Sequence, residues 1–259
     1  MPKLAANLTM MFNEVPFLER FEAAARAGFK GVEFLFPYEF PKAELAERLK
    51  KHGLQQVLFD LPAGDWAKGD RGNAIFPDRV GEFQDGVGKA LEYATALGCK
   101  RLTVLAGKQA EKVSLEASHR TYVDNLRFAA AKAAPLGITL LVEAINTRDI
   151  PGFFVNRTAH SQQIVKDAGA PNVAVQYDIY HMQIMEGDLA PAIKANLPTI
   201  RHMQLADNPG RNEPGTGEIN YEFLLPFVDS VGYDGWIGCE YRPKGKTIEG
   251  LGWAKRWLK

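Results

Sequence analysis

The sequence predicts a single α/β domain, a (β/α)₈ TIM barrel over residues 1–259 with its active site at the carboxyl ends of the strands. Short β-rich runs alternate with longer helical patterns along the whole chain. Several β-rich runs are continuously apolar, as in strands that are covered on both faces of a parallel sheet. No Pro/Ser-rich linker and no shift in composition divides the 259 residues. Eight β/α units of this length fit one barrel.

The predicted strands are short. In chain order they are Leu4–Leu8, Gly31–Leu35, Gln55–Phe59, Arg101–Ala106, Thr139–Glu143, Val173–Asp178, Ile200–Leu205 and Trp236–Glu240. A doubly wound open sheet is the alternative for such an alternating pattern. It is disfavoured because no Gly-x-Gly-x-x-Gly follows the first strand and no Walker sequence occurs.

Helical patterns fill the gaps between the strands. The first begins at Pro16, which suits a first helical turn, and stops at Gly28; the second runs in the same way from Pro41 to Gly53. The third is the clearest, because its apolar side chains form one stripe that ends at Gly98. That stripe is Val80, Phe83, Val87, Ala90, Leu91, Ala94 and Leu97. Further helices are predicted at Leu115–Ala134, Ala159–Ala168, Leu189–Asn196 and Tyr221–Val231.

Composition excludes several classes of protein. Lysine plus arginine and aspartate plus glutamate are both 31, so the net charge is zero and no basic surface for nucleic acid or anionic lipid is indicated. No apolar run approaches the roughly 20 residues of a membrane helix, and the first residues lack the pattern of a signal peptide. With only two cysteines, Cys99 and Cys239, a reducing cytoplasmic location is expected.

The longest connection without a periodic pattern covers residues 60–78 and follows the third predicted strand. Loops of this length are uncommon unless they are functional. On a barrel this loop would lie at the carboxyl ends of the strands, where active sites are found. Its glycines and Trp66 are typical of a mobile lid. A solvated loop with one anchoring tryptophan is the alternative.

Polar side chains end the last four predicted strands. They are Glu143, Asp178, Gln204 and Glu240. A closed barrel would bring four successive strand ends together, and three carboxylates there would repel each other without a cation between them. The ligand set is rich in oxygen and has no thiolate, which favours Mg²⁺ or Mn²⁺ over Zn²⁺ or Cu. For any one acid alone, an ordinary salt bridge at a strand end is the simpler interpretation.

Five segments resemble one known family. They are NLTMMF (7–12), VEFLFPY (32–38), LPAGDW (61–66), GRNEPGTGEINY (210–221) and GYDGWIGCEYRP (232–243). These look like segments of the hydroxypyruvate isomerase family, a branch of the xylose isomerase-like barrels that includes the 2-oxo-tetronate isomerases. The resemblance covers essentially the whole chain, and the last two segments are the most specific.

The resemblance implies a site. By similarity the family's metal ligands fall on Glu143, Asp178, Gln204 and Glu240, and its acid and base residues on Glu143 and Glu240. Related ketose 3-epimerases have a histidine at the position of Gln204, so the glutamine points to the isomerases. The family is often oligomeric, which makes a homo-oligomer an expectation here.

The predicted chemistry is the isomerisation of a small 2-keto-hydroxy acid. One proton moves between adjacent carbons through a cis-enediolate, whose charge a chelated divalent metal stabilises. Two carboxylates that flank the substrate remove and return the proton. Hydroxypyruvate to 2-hydroxy-3-oxopropanoate is the first candidate reaction, and 2-oxotetronate to 3-oxotetronate is the second. The sequence does not separate them, because one extra carbon changes discrimination little.

Three further residues are candidates for binding the substrate. His181 lies three residues after Asp178 and is a hydrogen-bond donor to a substrate oxygen; a packed histidine is the alternative. Arg211, in the GRNEPG segment, suits a bidentate contact with the substrate carboxylate, and a surface salt bridge is the alternative. Lys108 follows the fourth strand and is a weaker candidate for the same anion. Asp60 and Asp149 are weaker still.

Other activities remain open on this scaffold. A ketose 3-epimerase is disfavoured by Gln204, and a polyol dehydratase differs from an isomerase in the mass of its product. Endonucleases on related barrels hold several zinc ions and need a basic face, whereas this chain has five histidines and zero net charge. A binding barrel without catalysis would have no need of three converging carboxylates.

Overall fold

Eight parallel strands close into one barrel in the computed structural model, which describes residues 2–258. The strands pair in chain order and β1 pairs with β8. They are β1 (Lys3–Asn7), β2 (Gly31–Glu33), β3 (Gln55–Asp60), β4 (Arg101–Thr103), β5 (Thr139–Glu143), β6 (Val173–Asp178), β7 (Ile200–Leu205) and β8 (Trp236–Cys239). The predicted (β/α)₈ fold is confirmed.

Helices surround the barrel. They are α1 (Arg20–Arg26), α2 (Lys42–His52), α3 (Val80–Leu97), α4 (Leu115–Ala133), α5 (Thr158–Ala168), α6 (Ile179–Met185), α7 (Leu189–Asn196) and α8 (Tyr221–Ser230). Short 3₁₀ turns occur at Phe17–Glu19, Trp66–Lys68, Pro77–Arg79, Ala134–Leu136, Leu197–Thr199 and Glu249–Ala254. Among residues 2–258, no helix combines the length and the apolar character that crossing a membrane requires.

The predicted elements differ from the structure mainly at their ends. β2 stops at Glu33 and β4 at Thr103, two and three residues before the predicted ends, because the chain leaves the barrel there to form loops over its carboxyl end. Helix α6 was not predicted. It begins directly after β6, where the side chain of Asp178 accepts hydrogen bonds from the backbone N–H groups of Tyr180 and His181. Such a cap makes a short helix possible without a long apolar stripe.

The barrel interior changes from apolar to polar along its axis. Successive residues of a strand face opposite sides, so Ala5, Leu141 and Ala174 face the same side as the residues two positions further on, which are Asn7, Glu143 and Gln176. The three apolar residues belong to one small buried cluster against which Trp236 packs. The other core cluster is much larger and includes Phe83 and Val87 of the α3 stripe. The apolar base fills one end of the barrel and leaves the other end for polar side chains.

The loop over residues 60–78 is held by its own contacts. The carboxylate of Asp70 accepts hydrogen bonds from the backbone N–H of Asp65 and from Arg79, and Arg79 also pairs with Glu82. Gly72 pairs with Ala106 beyond β4 and has a φ of +123°. A Cβ at Gly72 would lie 2.3 Å from the carbonyl oxygen of Leu105. This glycine therefore allows the loop to pack directly on the backbone after β4.

We expect Gly72→Ala to lower the free energy of unfolding by about 3 kcal/mol, since it adds a backbone clash to the cost of a positive φ. Gly53→Ala is the matched control. Gly53 also has a positive φ, +63°, but a Cβ there has open space around it, so the expected loss is only about 1 kcal/mol. Urea unfolding of both variants measures the difference. Equal losses would contradict the proposed packing at Gly72.

Candidate active site

Four of the predicted site residues meet at the carboxyl end of the barrel. Glu143 ends β5, Asp178 ends β6, Glu240 follows β8, and His181 lies in the first turn of α6. Each offers one ligand atom, and these four atoms lie within 4.8 Å of one another. All four side chains are buried. The convergence that the strand ends predicted is present.

Burial and mutual repulsion shift the acids toward their neutral forms. The pKa of Glu143 is raised well above its usual value, first by burial and then by the charges of Glu240 and Asp178. The same burial raises the pKa of Asp178 and raises that of Glu240 to about 8, although the nearby Arg211 opposes both shifts. A cation at the centre would reverse these shifts, because it stabilises the charged carboxylates.

The donor set fits a divalent metal ion. Three buried carboxylates, each with a raised pKa, surround one point, and hard oxygen ligands of this kind suit Mg²⁺ or Mn²⁺. Exposed acidic groups often cluster without a metal, but these acids are buried, and ionising all three together there is costly without a countercharge.

Hydrogen bonds fix the state of His181. The side-chain oxygen of Asn146 accepts from the backbone N–H of Asp149 at 2.7 Å, so the amide nitrogen of Asn146 is the donor toward Nδ1 of His181, 2.6 Å away. Nδ1 then accepts, and the ring proton resides on Nε2. Burial, followed by the charge of Arg211, lowers the pKa of His181 well below its usual value. His181 is therefore a neutral donor whose Nε2 lies 3.5 Å from Asp178 and 3.9 Å from Glu143.

Gln204 lies in the same cavity, beside Asp178 in the register of β6 and β7. Its amide nitrogen donates to Glu33 at 2.8 Å, and its oxygen accepts from the amide of Gln176 at 2.6 Å. Gln176 in turn accepts a hydrogen bond from Thr103. This chain of hydrogen bonds fixes the orientation of the Gln204 amide, with its nitrogen toward Glu33 and its oxygen toward Gln176. A carbonyl oxygen can accept a second interaction, so Gln204 remains available as a ligand.

Glu33 is a buried hub beside the three acids and His181. Its carboxylate accepts from Asn7 at 3.0 Å and from Gln204, and it lies 2.8 Å from Nε2 of His202. Gly238 provides the room for it, since a Cβ at that position would lie 2.2 Å from Oε1 of Glu33. Asn7 also reaches Glu240 at 3.4 Å. The hub thus joins β1, β2 and β7 directly and contacts β8 through Gly238.

Arg211 lies against the acids. Its Nη2 donates to Glu240 at 2.6 Å and is 4.0 Å from Asp178, and Nη1 is 3.8 Å from Asp149. The residue has a φ of +54°, which is unfavourable for a non-glycine residue unless the surrounding loop holds it. Asp207 stabilises this loop, because its buried carboxylate accepts hydrogen bonds from four backbone N–H groups. These belong to Gly215, Thr216, Gly217 and Ile219.

The site opens into a cavity of about 530 Å³. Its walls include apolar side chains such as Phe34, Leu105 and Ile145, together with Asp60 and Asp149. The loop over residues 60–78 contributes Trp66 and Arg71. Lys108, by contrast, is exposed and does not belong to the lining of this cavity.

The chain is similar to known proteins over its whole length. The family model of the xylose isomerase-like TIM barrel matches residues 21–257. This chain belongs to that family. A 2-oxo-tetronate isomerase of Cupriavidus necator is 52% identical over 100% of this chain and 99% of its own length. The hydroxypyruvate isomerase of Escherichia coli is 49% identical over 98% of both chains.

A solved structure has the same fold over the whole chain. A Brucella melitensis protein described as an AP endonuclease of family 2 has a TM-score of 0.97 and 51% identity, with 99% of both chains covered. The family resemblance predicted from the sequence is thus confirmed, and so is the expectation that the chain is an isomerase.

Sequence reasoning missed the residues that support the acids. Glu33 ends β2 as Glu143 ends β5, so the same pattern was available. The predicted strand ran on to Leu35, which placed Glu33 inside it and hid the signal. Asn146, His202 and Gln176 carry no pattern of their own, and only the register of the closed barrel brings them to the site.

The raised pKa values predict how stability changes with pH when metal is removed. In the folded, metal-free chain these acids keep their protons to a higher pH than usual, because their pKa values are raised, that of Glu240 to about 8. In the unfolded chain they lose their protons near their ordinary pKa values. The free energy of unfolding in a chelator should therefore fall between about pH 5 and pH 8, by up to about 1.4 kcal/mol per pH unit for each group. Urea unfolding at several pH values measures this slope.

The matched control for this slope is Glu240→Gln, which removes one of the titrating groups. Its slope should be shallower, and added Mg²⁺ should flatten the slope of the native chain. An identical slope in the variant and the native chain would contradict the assignment to Glu240.

Proposed function

We propose that this isomerase interconverts hydroxypyruvate and 2-hydroxy-3-oxopropanoate with the help of one divalent metal ion, Mg²⁺ or Mn²⁺. The observation that carries the proposal is the buried cluster of three carboxylates and one neutral histidine at the carboxyl end of the barrel. Relatives that are about half identical over their full lengths are named for this reaction type.

The four-carbon reaction, 2-oxotetronate to 3-oxotetronate, is the second candidate. It is favoured by the 52% identical relative from Cupriavidus necator and by a cavity of about 530 Å³, which has room for one more carbon. Parallel assays of the metal-loaded protein on both acids separate the two. A ketose 3-epimerase and a polyol dehydratase have no comparable support among these full-length relatives.

The metal would be held by Glu143, Asp178, Gln204 and Glu240, and when bound it would act as a Lewis acid toward the carbonyl and hydroxyl oxygens of the substrate. The chain's own residues then move the proton. One glutamate removes a proton from the carbon that bears the hydroxyl group, and the electron pair forms the double bond of an enediolate. A proton is then delivered to the former carbonyl carbon. The hydroxyl group loses its proton and becomes the new carbonyl, and the former carbonyl oxygen gains a proton and becomes the new hydroxyl group.

Glu143 and Glu240 are the proposed acid and base. Both are carboxyl groups of the cluster that would hold the metal, and a carboxylate that lies beside the substrate can take up and return a proton. Glu240 is held by Arg211 and Asn7, whereas Glu143 has the neutral Nε2–H of His181 at 3.9 Å. The Nε2–H of His181 is the proposed donor to the substrate's carbonyl oxygen, and Arg211 is a proposed contact for the substrate's oxygens.

Metal binding predicts a specific loss on changing Asp178. Its Oδ1 caps α6 by accepting from Tyr180 at 2.7 Å, so Asp178→Asn keeps an oxygen there and presents NH₂ to the cluster. We expect Mg²⁺ or Mn²⁺ affinity to fall at least about 10-fold and activity to fall with it. Isothermal titration calorimetry with the metal alone measures the affinity.

Asp60→Asn is the control for this measurement. Asp60 lines the same cavity but lies outside the cluster of four ligand atoms. Its metal affinity should stay close to that of the native chain. Full activity of a chelated native preparation would overturn the metal mechanism.

The proposed acid–base roles predict that changing either glutamate lowers turnover while some metal binding remains. Glu143→Gln and Glu240→Gln each keep an oxygen ligand but remove a group that takes up a proton, so turnover should fall by about 10²–10⁴-fold while some metal binding remains. In deuterated water, the variant that keeps the first base should still exchange the substrate's carbon-bound proton without forming product. The other variant should do neither, and NMR distinguishes them.

Near-native turnover by both metal-loaded variants would contradict the two-carboxylate mechanism. A hydride shift between the two carbons would then account better for the reaction.

A further inference from the structure

The cavity is lined by a second arginine, Arg71, that forms no ion pair with the three acids of the cluster. Arg71 lies in the loop over residues 60–78 and lines the cavity that contains Glu143 and Glu240. Its guanidinium stacks on the ring of Trp66, with 4.2 Å from Cζ to the ring centroid. Trp66 in turn packs edge-on against Phe36 at 5.0 Å. Arg71 is therefore held flat against an aromatic wall.

One side of the Arg71 guanidinium is used by the loop itself. Nη1 donates to the carbonyl oxygen of Trp66 at 3.1 Å and to that of Asp70 at 2.6 Å. Within residues 2–258, Nε and Nη2 make no hydrogen bond, and no carboxylate lies within 4.0 Å of this side chain. Nε–H and Nη2–H share one edge of the guanidinium. That edge matches the two oxygens of a carboxylate.

A substrate with a carboxylate would need a further positive charge in this cavity. Arg211 is already paired with Glu240 at 2.6 Å, and Asp149 lies between Arg211 and Arg148 at 3.8 and 3.9 Å. Three carboxylates, one divalent cation and Arg211 sum to zero charge. A substrate that brings its own carboxylate into this cavity therefore needs a further cation, because burying an unpaired charge is costly.

Two other cations near the cavity suit this role less well. Lys108 is exposed and does not belong to the cavity lining, and Arg242 lines the cavity but is exposed. Arg71 is half-buried, stacked and anchored. The neighbouring Gly72 fixes the backbone at this point, because the loop packs there on Leu105 and Gly107 without room for a Cβ. Arg71 is thus the better preorganised of the cavity's cations for binding an anion.

We propose that Arg71 binds the carboxylate of the substrate through its Nε–Nη2 edge, while the reacting carbons lie at the three acids of the cluster. The assignment rests on the proposed function and deepens it: the site selects 2-keto-hydroxy acids over neutral sugars of the same length. In this arrangement Trp66 is a positioning residue, since it orients the guanidinium and does not contact the anion.

The test measures binding without turnover. Glycerate carries a carboxylate and two adjacent hydroxyl groups but has no keto group to isomerise, and glyceramide is its neutral counterpart. In the Mg²⁺-loaded native protein, glycerate should bind more tightly than glyceramide. Arg71→Gln should raise the Kd of glycerate by about 10- to 100-fold, with little change for glyceramide or for Mg²⁺ itself.

Two further variants make the test specific. Arg71→Lys keeps the charge but cannot form the bidentate contact, so its affinity for glycerate should lie between those of Arg71→Gln and the native protein. Arg242→Gln removes a positive charge from the same cavity mouth and should change the Kd of glycerate by less than about 3-fold, as expected for a screened, exposed charge. Thermal unfolding checks that every variant is folded.

The outcomes are distinguishable from those of the proposed reaction. An unchanged Kd for glycerate in Arg71→Gln, or an equal rise in Arg242→Gln, overturns the assignment of Arg71. Absence of turnover of both keto acids by the native protein overturns the proposed reaction, whatever the glycerate measurements show. If turnover is present, the Arg71→Gln loss should appear mainly in KM for the acids, which supports a binding role.

Discussion

The crowding of negative charge at one end of a closed barrel is the constraint on which the site depends. Parallel strands all deliver their carboxyl ends to the same rim, so the acids of β5, β6 and β8 cannot avoid each other. Burial first, and then the neighbouring negative charges, raise the pKa values of all three acids. Positive charge lowers the cost of ionising them, and Arg211 supplies one positive charge beside Glu240. The divalent metal ion of the proposed function would supply the rest.

A polar layer under the acids keeps this crowded arrangement in one geometry. Glu33 accepts hydrogen bonds from Asn7 and Gln204 and meets His202, so one buried carboxylate ties several strands together. Asn146 performs a comparable task for His181 by fixing the ring nitrogen that carries the proton. Each ligand or donor is therefore oriented by a neighbour, which is how preorganised sites keep ligand atoms in place before a metal or substrate arrives.

Much of this could be predicted from the sequence, and the remainder could not for definable reasons. The eight strands and the acids at their ends are periodic, local signals, and β5, β6 and β7 were predicted to the residue. Helix α6 is short and depends on a single capping side chain rather than on a stripe. The contacts of Glu33 with His202 and of Asp207 with the loop before α8 are absent from any local pattern, since they arise from strand register and loop closure. The predicted mobility of residues 60–78 and the role of Lys108 stay predictions.

Gly238 is a residue whose importance lies entirely in what it lacks. It lies in β8 between Ile237 and Cys239, where a side chain would be expected to fill the barrel, and the carboxylate of Glu33 occupies that volume instead. The side chain at position 33 therefore fills the volume that a side chain at position 238 would need. A larger residue at 238 would displace the carboxylate of Glu33, and that displacement would release Gln204 from its hydrogen bond to Glu33. The orientation of Gln204, the proposed metal ligand on β7, is in this way linked to a glycine on the neighbouring strand.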